Sequence, residues 1–454
     1  MNDSTLHLNE NLFVIPDGHD RFLLYLPDPG ITLSVNNPVV HLLQDIKKGK
    51  QTEEPSESGI IRELSQYDII RPLGTARGET MRPDFPISFD PEGISLFLTT
   101  ACTMRCIYCY SRGGAIKKRL PWNYAKTAID SLFQNASNRG HQTLYAHFHG
   151  GGEKTTAMAL LKRCVHYIRK RSKDAGIEVK IEAGVNGVMS ESCASWVVSH
   201  MDGATVSLDG PPAVQNYHRP LSSGKGSFQL VRDTLKRFDA AGFDYGIRTT
   251  VTQEIVDTMP DSIEFISEMF KPKAIQVEPV FLSGRALDKN LRSIDPVDFI
   301  GQYREAKRRL GDKAGTLCYS GARLKNVNGL FCKALSGKSF CVTPDGDITS
   351  CYEITEKLDA LSYFFFFGKI DPKHNKVLID NEKLKEWRNF MESRWYYCRD
   401  CFCNPHCAGD CPAKSLVYRH VDDYQKNPRC IINRELTKDQ LRESIVSVFN
   451  PALA

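Results

Sequence analysis

Hydrophobic and polar positions alternate near the start of the chain. Residues 21–26 and 31–35 alternate on either side of a Pro-Asp-Pro-Gly turn, so they predict a β-hairpin. Apolar positions at helical spacing after Asn37 then predict a helix. Following a polar stretch, residues 60–70 predict a short helix or a strand edge. A hairpin followed by small helices indicates a winged-helix-like unit over residues 1–80.

Over residues 90–315 the pattern changes to strand, loop and helix, repeated six times. The predicted strands are short runs rich in apolar residues, at 94–99, 144–149, 179–185, 204–208, 245–251 and 274–282. Helical periodicity separates them, for example at 228–241. Because parallel strands joined by helices curl into a barrel, the pattern predicts an α/β fold with a partial (β/α)6 barrel. Its functional loops are expected at the carboxyl ends of the strands.

Regular periodicity fades from residue 316, where cysteine, glycine and proline become dense. We expect residues 316–435 to form a domain with little core, held together by metal clusters. The aromatic run 363–367 predicts a short buried strand, and residues 436–454 predict a C-terminal helix.

Composition narrows the class of protein. The chain has 454 residues, enough for two or three domains, and its formal net charge of +5 is too small to indicate nucleic-acid binding. The amino terminus lacks the pattern of a signal peptide, and no apolar run reaches membrane-spanning length. The sequence therefore predicts a cytoplasmic protein, where 15 cysteines are metal ligands or catalysts more readily than disulfides.

Two groups of cysteines have the spacing of metal ligands. The first, Cys102, Cys106 and Cys109, follows the first predicted barrel strand directly. Soft thiolates select iron–sulfur clusters and zinc. Three cysteines where a cubane cluster takes four ligands leave one iron open to a non-protein ligand. A structural zinc site is the alternative, although it prefers a fourth ligand nearby.

The spacing C-x3-C-x-aromatic-C, completed by Tyr108, resembles the signature of the radical S-adenosylmethionine (AdoMet) superfamily. The resemblance implies a four-iron cluster whose open iron binds AdoMet. It also implies cleavage of AdoMet to a 5′-deoxyadenosyl radical, the cofactor supplying the difficult chemistry and the barrel positioning it.

Residues at other strand ends extend this resemblance to AdoMet binding. Gly151, Gly152 and Glu153 follow the second strand as the family's GGE motif does. The other expected contacts are Asn186 at the end of the third strand, Ser207 at the end of the fourth, and Arg219 in the segment that follows.

The C-terminal cysteines resemble the seven-cysteine SPASM pattern, which implies two auxiliary four-iron clusters and three clusters in all. The second auxiliary cluster would take Cys398, Cys401, Cys407 and Cys430. The first would take Cys332, Cys351 and Cys411, with Cys341 as a candidate fourth ligand. Cys403 and Cys318 are spare thiols near the clusters, for which inert roles are expected and ligand roles stay open as the alternative. Cys164 and Cys193 are expected to be buried packing residues.

SPASM proteins include peptide maturases and sulfatase-maturing enzymes. The latter carry an aspartate after the cysteine matching Cys351, where this chain has Tyr352. The N-terminal unit resembles a PqqD-like element that binds a leader peptide as an added strand. Its acidic residues Glu53, Glu54 and Glu57 disfavour DNA binding.

The resemblance implies a maturase that crosslinks a ribosomally made precursor peptide, with electrons from a flavodoxin or ferredoxin. Peptide epimerisation, sulfatase maturation and a non-catalytic zinc-binding protein stay open as alternatives. The bond formed is not encoded in any motif.

Overall fold

The computed structural model of the chain describes residues 6–50, 55–72, 85, 88–325, 327, 330–417 and 427–445. Its strands are β1 Leu6–Leu8, β2 Phe13–Pro16, β3 Arg21–Leu26, β4 Ile31–Asn36, β5 Ile70–Pro72, β6 Gly93–Leu96, β7 Thr143–Phe148, β8 Glu178–Val185, β9 Gly203–Ser207, β10 Tyr245–Val251, β11 Ile275–Pro279, β12 Leu317–Cys318, β13 Ser339–Val342, β14 Asp347–Thr349, β15 Phe366–Asp371 and β16 Lys376–Ile379. Its helices are α1 Asn37–Lys47, α2 Pro55–Gln66, α3 Trp122–Arg139, α4 Met158–Ala175, α5 Glu191–His200, α6 Pro212–His218, α7 Phe228–Ala240, α8 Met259–Met269, α9 Arg285–Asp288, α10 Pro296–Leu310, α11 Ser362–Phe365, α12 Asn381–Tyr397, α13 Asn404–Cys407, α14 Pro412–Val417 and α15 Pro428–Glu443.

Eleven of the described strands form one sheet in the order β12-β11-β10-β9-β8-β7-β6-β13-β14-β15-β16. The pairs from β12 to β13 are parallel, and the last three pairs are antiparallel. The six predicted barrel strands are β6 to β11, in their predicted order. The sheet curls enough that Asn186 after β8 donates to Thr103 after β6 at 3.1 Å. The α/β class with a large central sheet is confirmed.

Alternation within the strands explains how this sheet is covered. In β10 the side chains of Tyr245, Ile247, Thr249 and Val251 are buried, and those between them are half-buried. The buried face packs against surrounding helices such as α7, whose buried residues recur at helical spacing. The half-buried face lines the concave side of the sheet, which we call the lumen.

The first unit has a three-stranded antiparallel sheet, β2-β3-β4, followed by α1 and α2, while β5 returns to pair with β1. Asn36 caps α1 by accepting from Val39 N, and a proline stands in the first turn. One face of the sheet packs on the apolar side of α1, which includes Val39, Leu43 and Ile46. Within the predicted unit 1–80, residues 1–5, 51–54 (which include Glu53 and Glu54) and 73–80 lie outside the described residues.

The opposite face of that small sheet contacts the C-terminal part of the chain. Ile15, Leu23 and Tyr25 form an apolar cluster with Leu441 of α15. The Tyr25 hydroxyl hydrogen-bonds to His406, and both side chains are buried. The N-terminal unit is therefore anchored on the cysteine-rich segment.

Two local predictions differ from the structure. The aromatic run 363–367 divides between α11 and β15 instead of forming one strand. The C-terminal helix begins at Pro428, inside the predicted cysteine-rich domain, and ends at Glu443, while residues 446–454 lie outside the described part. No helix among the described residues is long and apolar enough to cross a membrane.

Candidate functional site

The first cysteine group lies in the loop between β6 and α3, at the carboxyl end of β6. Backbone hydrogen bonds fix this loop to the end of α6 and to the residues that follow it. Arg105 N donates to Pro220 O at 2.8 Å, and Ile107 N donates to His218 O at 2.9 Å. From the other side, Arg285 Nη1 donates to Cys106 O at 2.8 Å. The loop that carries the three thiols is therefore held by residues far away in sequence.

The three thiols face one another closely enough to interact electrostatically. Burial raises the pKa of Cys106 to about 12; the guanidinium of Arg219 opposes the rise, and the thiols of Cys109 and Cys102 add to it. Burial also raises the pKa of Cys102, with Glu153 adding to the effect. A thiolate here therefore requires a strong positive partner such as iron.

Hydrogen-bond donors surround the sulfur atoms, as a bound iron–sulfur cluster requires. Cys102 Sγ accepts from Met104 N at 3.4 Å and from Asn186 Nδ2 at 3.8 Å. Cys109 Sγ accepts from Gly113 N at 3.4 Å. Within the described residues, no three His, Cys, Asp or Glu side chains are close enough together to bind one metal ion. A cubane cluster instead places each cysteine ligand on a different iron. Free thiols with N–H donors around them fit thiolate ligation of a cluster.

The Gly151-Gly152-Glu153 segment lies directly against this loop. Gly152 N donates to Thr99 O and Glu153 N to Ala101 O, both at 2.7 Å. A Cβ on Gly152 would collide with the carbonyl of Ala101, and Gly151 has a φ of +67°, so both positions favour glycine. The two glycines allow the close approach that places Glu153 beside the cysteines.

Glu153 is buried and is hydrogen-bonded to Asn186, another of the predicted AdoMet contacts. Its Oε2 accepts from Asn186 N at 2.7 Å, and its Oε1 accepts from Thr155 N at 3.1 Å. Asn186 in turn reaches Cys102. The structure thus brings Glu153, Asn186 and the first cysteine group together, and their role in binding AdoMet stays a prediction.

Arg219 and Tyr108 belong to a buried polar network under the loop. Arg219 Nη1 donates to the Tyr108 hydroxyl at 2.7 Å, and that hydroxyl donates to Asp209 Oδ2 at 2.5 Å. His218 Nδ1 lies 3.1 Å from the same oxygen. Burial favours a neutral Asp209, but His218 and Arg219 outweigh it and lower the pKa of Asp209. His218 was missed from the sequence, although it directly precedes Arg219.

Ser207 lies at the end of β9, in register with Arg248 of β10. It is half-buried on the lumen side, and no side-chain hydrogen bond joins it to the other candidate contacts within the described residues. Most of the predicted contacts therefore lie against the cysteine loop, around Glu153 and Arg219. Ser207 stands apart from them, with its hydroxyl on the lumen side.

The C-terminal cysteines form two groups in space. Burial raises the pKa of Cys407 far above its usual value, and the next effects come from Asp410, Cys401, Cys430 and Cys398. These four cysteines are the set predicted for the second auxiliary cluster. Cys403 is buried, and its thiol forms a hydrogen bond with Cys401 that lowers the pKa of Cys401 to about 7.

The other group combines cysteines from distant parts of the segment. Burial raises the pKa of Cys351, with Glu353, Cys411 and Cys332 adding to the rise. Burial and the nearby Cys332 likewise raise the pKa of Cys341 on β13. The four cysteines predicted for the first auxiliary cluster are therefore neighbours, and Cys411 joins them although it closes the loop that carries the other group.

A buried ion cluster lies between these groups and the barrel. Arg429, the residue before Cys430, bonds both oxygens of Asp410, at 2.7 and 2.9 Å. Its Nη1 lies 3.6 Å from Glu278 Oε2 of β11. All three residues are at least 95% buried. They connect the last long barrel strand, the cysteine loop and α15.

Residues 96–266 match the family described as the Radical SAM superfamily. The chain is 27% identical over 335 residues to mycofactocin maturase MftC of Mycolicibacterium smegmatis, covering 70% of this chain and 76% of that protein. It is 23% identical over 325 residues to the sporulation killing factor maturation protein SkfB of Bacillus subtilis, covering 68% and 73%.

A further relative is the cysteine-type anaerobic sulfatase-maturating enzyme of Clostridium novyi, 20% identical over 333 residues, covering 68% of this chain and 84% of that enzyme. The solved structure of native anSMEcpe with bound AdoMet has a TM-score of 0.57 at 16% identity, covering 77% of this chain and 98% of that one. That likeness shows a shared fold.

Proposed function

We propose that the chain is a radical SAM enzyme that modifies a ribosomally synthesised precursor peptide. The observation that carries the proposal is the convergence of Cys102, Cys106 and Cys109 with Glu153 and Asn186 at the carboxyl ends of the parallel strands. Homology to two proteins named for maturation, the mycofactocin maturase MftC and the sporulation killing factor maturation protein SkfB, favours a peptide substrate. Both the domain match and this convergence disfavour a non-catalytic zinc-binding protein.

The residues of the site fit a four-iron cluster and AdoMet. Cys102, Cys106 and Cys109 would hold the cluster. The remaining predicted contacts would hold AdoMet: Gly151, Gly152, Glu153, Asn186, Ser207, Arg219 and Tyr108. When bound, the two groups supply hydrogen-atom abstraction from an unactivated carbon.

The protein's own contribution is binding and orientation. Glu153 can accept hydrogen bonds from an ammonium group, since its carboxylate is fixed by Asn186 and Thr155. The Arg219 guanidinium is buried, and its Nε has no hydrogen-bond partner in the described residues, so it can bind a carboxylate or hydroxyl. The loop bonds from Arg105, Ile107 and Arg285 keep the cysteines in place.

We further propose two auxiliary four-iron clusters on the cysteine sets given above, whose role is to supply the electron acceptor that an oxidation needs. The proximity of the cysteines within each set supports this assignment. The proposed setting is the cytoplasm, with a flavodoxin or ferredoxin as reductant.

The reaction we propose is an oxidative crosslink in the peptide. Incubating the reduced enzyme with AdoMet and the short peptide encoded beside its gene is expected to give a product lighter by two hydrogens. High-resolution mass spectrometry measures this loss. An unchanged mass with one solvent deuterium incorporated would indicate epimerisation instead.

Sulfatase maturation is the second candidate, favoured by the relative from Clostridium novyi. The Tyr352 ring, where the sulfatase-maturing pattern has an aspartate, lies 5.0 Å from the ring of His149. A sulfatase-derived peptide with Cys or Ser at its modification site is therefore expected to stay unmodified. A mass change to formylglycine would favour this candidate over crosslinking.

We propose that the leader of the peptide binds the N-terminal sheet as an added strand. In the described residues β2 and β4 are the edge strands of that sheet, and edge strands present unpaired backbone groups. Deleting residues 1–80 is expected to weaken peptide binding at least about tenfold, about 1.4 kcal/mol. Isothermal titration measures the affinity.

That deletion also exposes Leu441 and His406, which could disturb the cysteine-rich segment. The iron content of the deletion variant must therefore match that of the full chain. Shortening the peptide by its leader tests the same contact on the intact enzyme. Equal affinity of the full and shortened peptides would remove the leader-binding proposal.

A further inference from the structure

One arginine faces the lumen beside the candidate AdoMet site. Arg248 lies on the half-buried face of β10. It is in register with Ser207 on β9 and with Gln276 on β11. The guanidinium therefore belongs to the row of side chains that includes one of the proposed AdoMet contacts.

Several distant elements of the fold meet around Arg248. Burial favours a neutral Glu278, but the charges of Arg248, Arg429 and Lys414 outweigh it and lower its pKa to about 2. Burial, together with Lys154 and Arg248, lowers the pKa of His149 to about 3. Burial raises the pKa of Tyr110, next to Cys109, and the positive charge of the same guanidinium opposes that rise. It thus lies centrally among the cysteine loop, β7 and β11.

Among the described residues, no side chain or carbonyl accepts a hydrogen bond from the guanidinium of Arg248. Over the described parts of the chain it forms neither a hydrogen bond nor an ion pair within 4.0 Å, although it carries five N–H donors. Glu278 uses Oε1 to accept from Gln276 and Ser320, at 2.8 and 3.1 Å, while Oε2 faces Arg429. A partly desolvated cation without an acceptor is unfavourable, so a ligand oxygen is expected there.

The charges near Arg248 indicate the kind of oxygen. Glu278 already supplies a negative charge to Arg248, since the Arg248 guanidinium is the largest charge effect that lowers the pKa of Glu278. The missing acceptor therefore does not need a charge of its own. A peptide carbonyl oxygen satisfies the guanidinium and keeps the balance.

We propose that Arg248 is a substrate-binding residue that donates to a backbone carbonyl oxygen of the precursor peptide beside the residue that reacts. This inference rests on the proposed function, because it requires a peptide in the lumen. The contact would present one peptide residue to the AdoMet site and leave the leader to the N-terminal sheet.

The test compares Arg248→Met, Arg248→Lys and the wild type, each loaded with iron, for binding of the peptide encoded beside the gene and for binding of AdoMet. Arg248→Met is expected to weaken peptide binding at least about tenfold, since a hydrogen bond to a charged group is lost. Arg248→Lys should lose less, and AdoMet binding should change in neither. Arg237→Met, at an exposed arginine paired with Glu191, is the matched control.

Thioamides placed one at a time in the peptide identify the carbonyl. One position should weaken binding to the wild type and cause no added loss with Arg248→Met. Equal peptide affinity of Arg248→Met and wild type would overturn the inference, as would a parallel loss of AdoMet affinity. Binding that is lost on amidating the peptide's C-terminus would show a carboxylate ligand instead.

Iron content and circular dichroism that match the wild type exclude misfolding of Arg248→Met. Arg248→Lys keeps the positive charge, so it tests the same contact in a second variant. A wild-type enzyme that binds no peptide would contradict the proposed function itself, so the two failures are distinguishable.

Discussion

Replacing Cys102, Cys106 and Cys109 together with alanine is expected to abolish formation of 5′-deoxyadenosine from AdoMet. These thiols are the only protein ligands proposed for the cluster that binds AdoMet. The C-terminal cysteines belong to other elements, so their iron should stay. Of about twelve irons expected from three cubane clusters, about eight should remain. Liquid chromatography of the nucleoside product and an iron assay measure both effects.

A matched control for this triple variant is Cys193→Ala. Cys193 is also a buried cysteine of the barrel, but it packs in α5 beside Met158. It should retain the iron content and nucleoside production of the wild type. Continued AdoMet cleavage by the triple variant would show that the site has been assigned to the wrong cysteines.

Replacing Arg429 with methionine is expected to destabilise the C-terminal part of the chain by about 3–5 kcal/mol. The substitution leaves Asp410 and Glu278 buried without their cation, and removing one partner of a buried ion pair is more costly than removing both. Asp410→Asn added to Arg429→Met should therefore recover part of the loss. Urea denaturation followed by circular dichroism measures it.

The control for Arg429 is Arg308→Met. Arg308 is largely exposed, and its pair with Glu305 on the same helix is screened by solvent, so its loss should change stability far less than the loss of Arg429. Equal effects of the two substitutions would mean that the buried cluster is not stabilising. Because Cys430 follows Arg429, loss of iron from the C-terminal sites should accompany the loss of stability.

Local patterns in the sequence predicted the repeated part of the fold well. The alternation in residues 245–251 gave β10 with its observed ends. Helical spacing after Phe228 gave α7 to within one residue. These elements bury one face each, so their periodicity is written in consecutive residues. The cysteine loop was identifiable for a related reason, since three ligands of one group must lie close in sequence to wrap it.

Contacts between distant segments were not predictable in this way. β13 is a four-residue strand that pairs with β6 across more than two hundred residues. Its own short pattern contains nothing that selects β6 as a partner. Likewise His218, Asp410 and Arg429 are buried polar residues whose partners come from elsewhere in the fold. Charged and polar residues are mostly exposed in proteins, so the sequence alone predicts these three at the surface. Their burial depends on neighbours that only the tertiary structure supplies.

The contact between Tyr25 and His406 has a consequence for how the protein is made. The two residues are 381 positions apart, so roughly 20–80 s of synthesis separate them on the ribosome. During that time Leu23 and Tyr25 have no covering surface in the nascent chain. The N-terminal sheet can seat only after the cysteine segment and α15 have emerged and folded. Docking of the N-terminal sheet on the cysteine-rich segment is therefore a late step of folding. If iron is inserted late, the first strands would dock on a segment that has not yet reached its final fold.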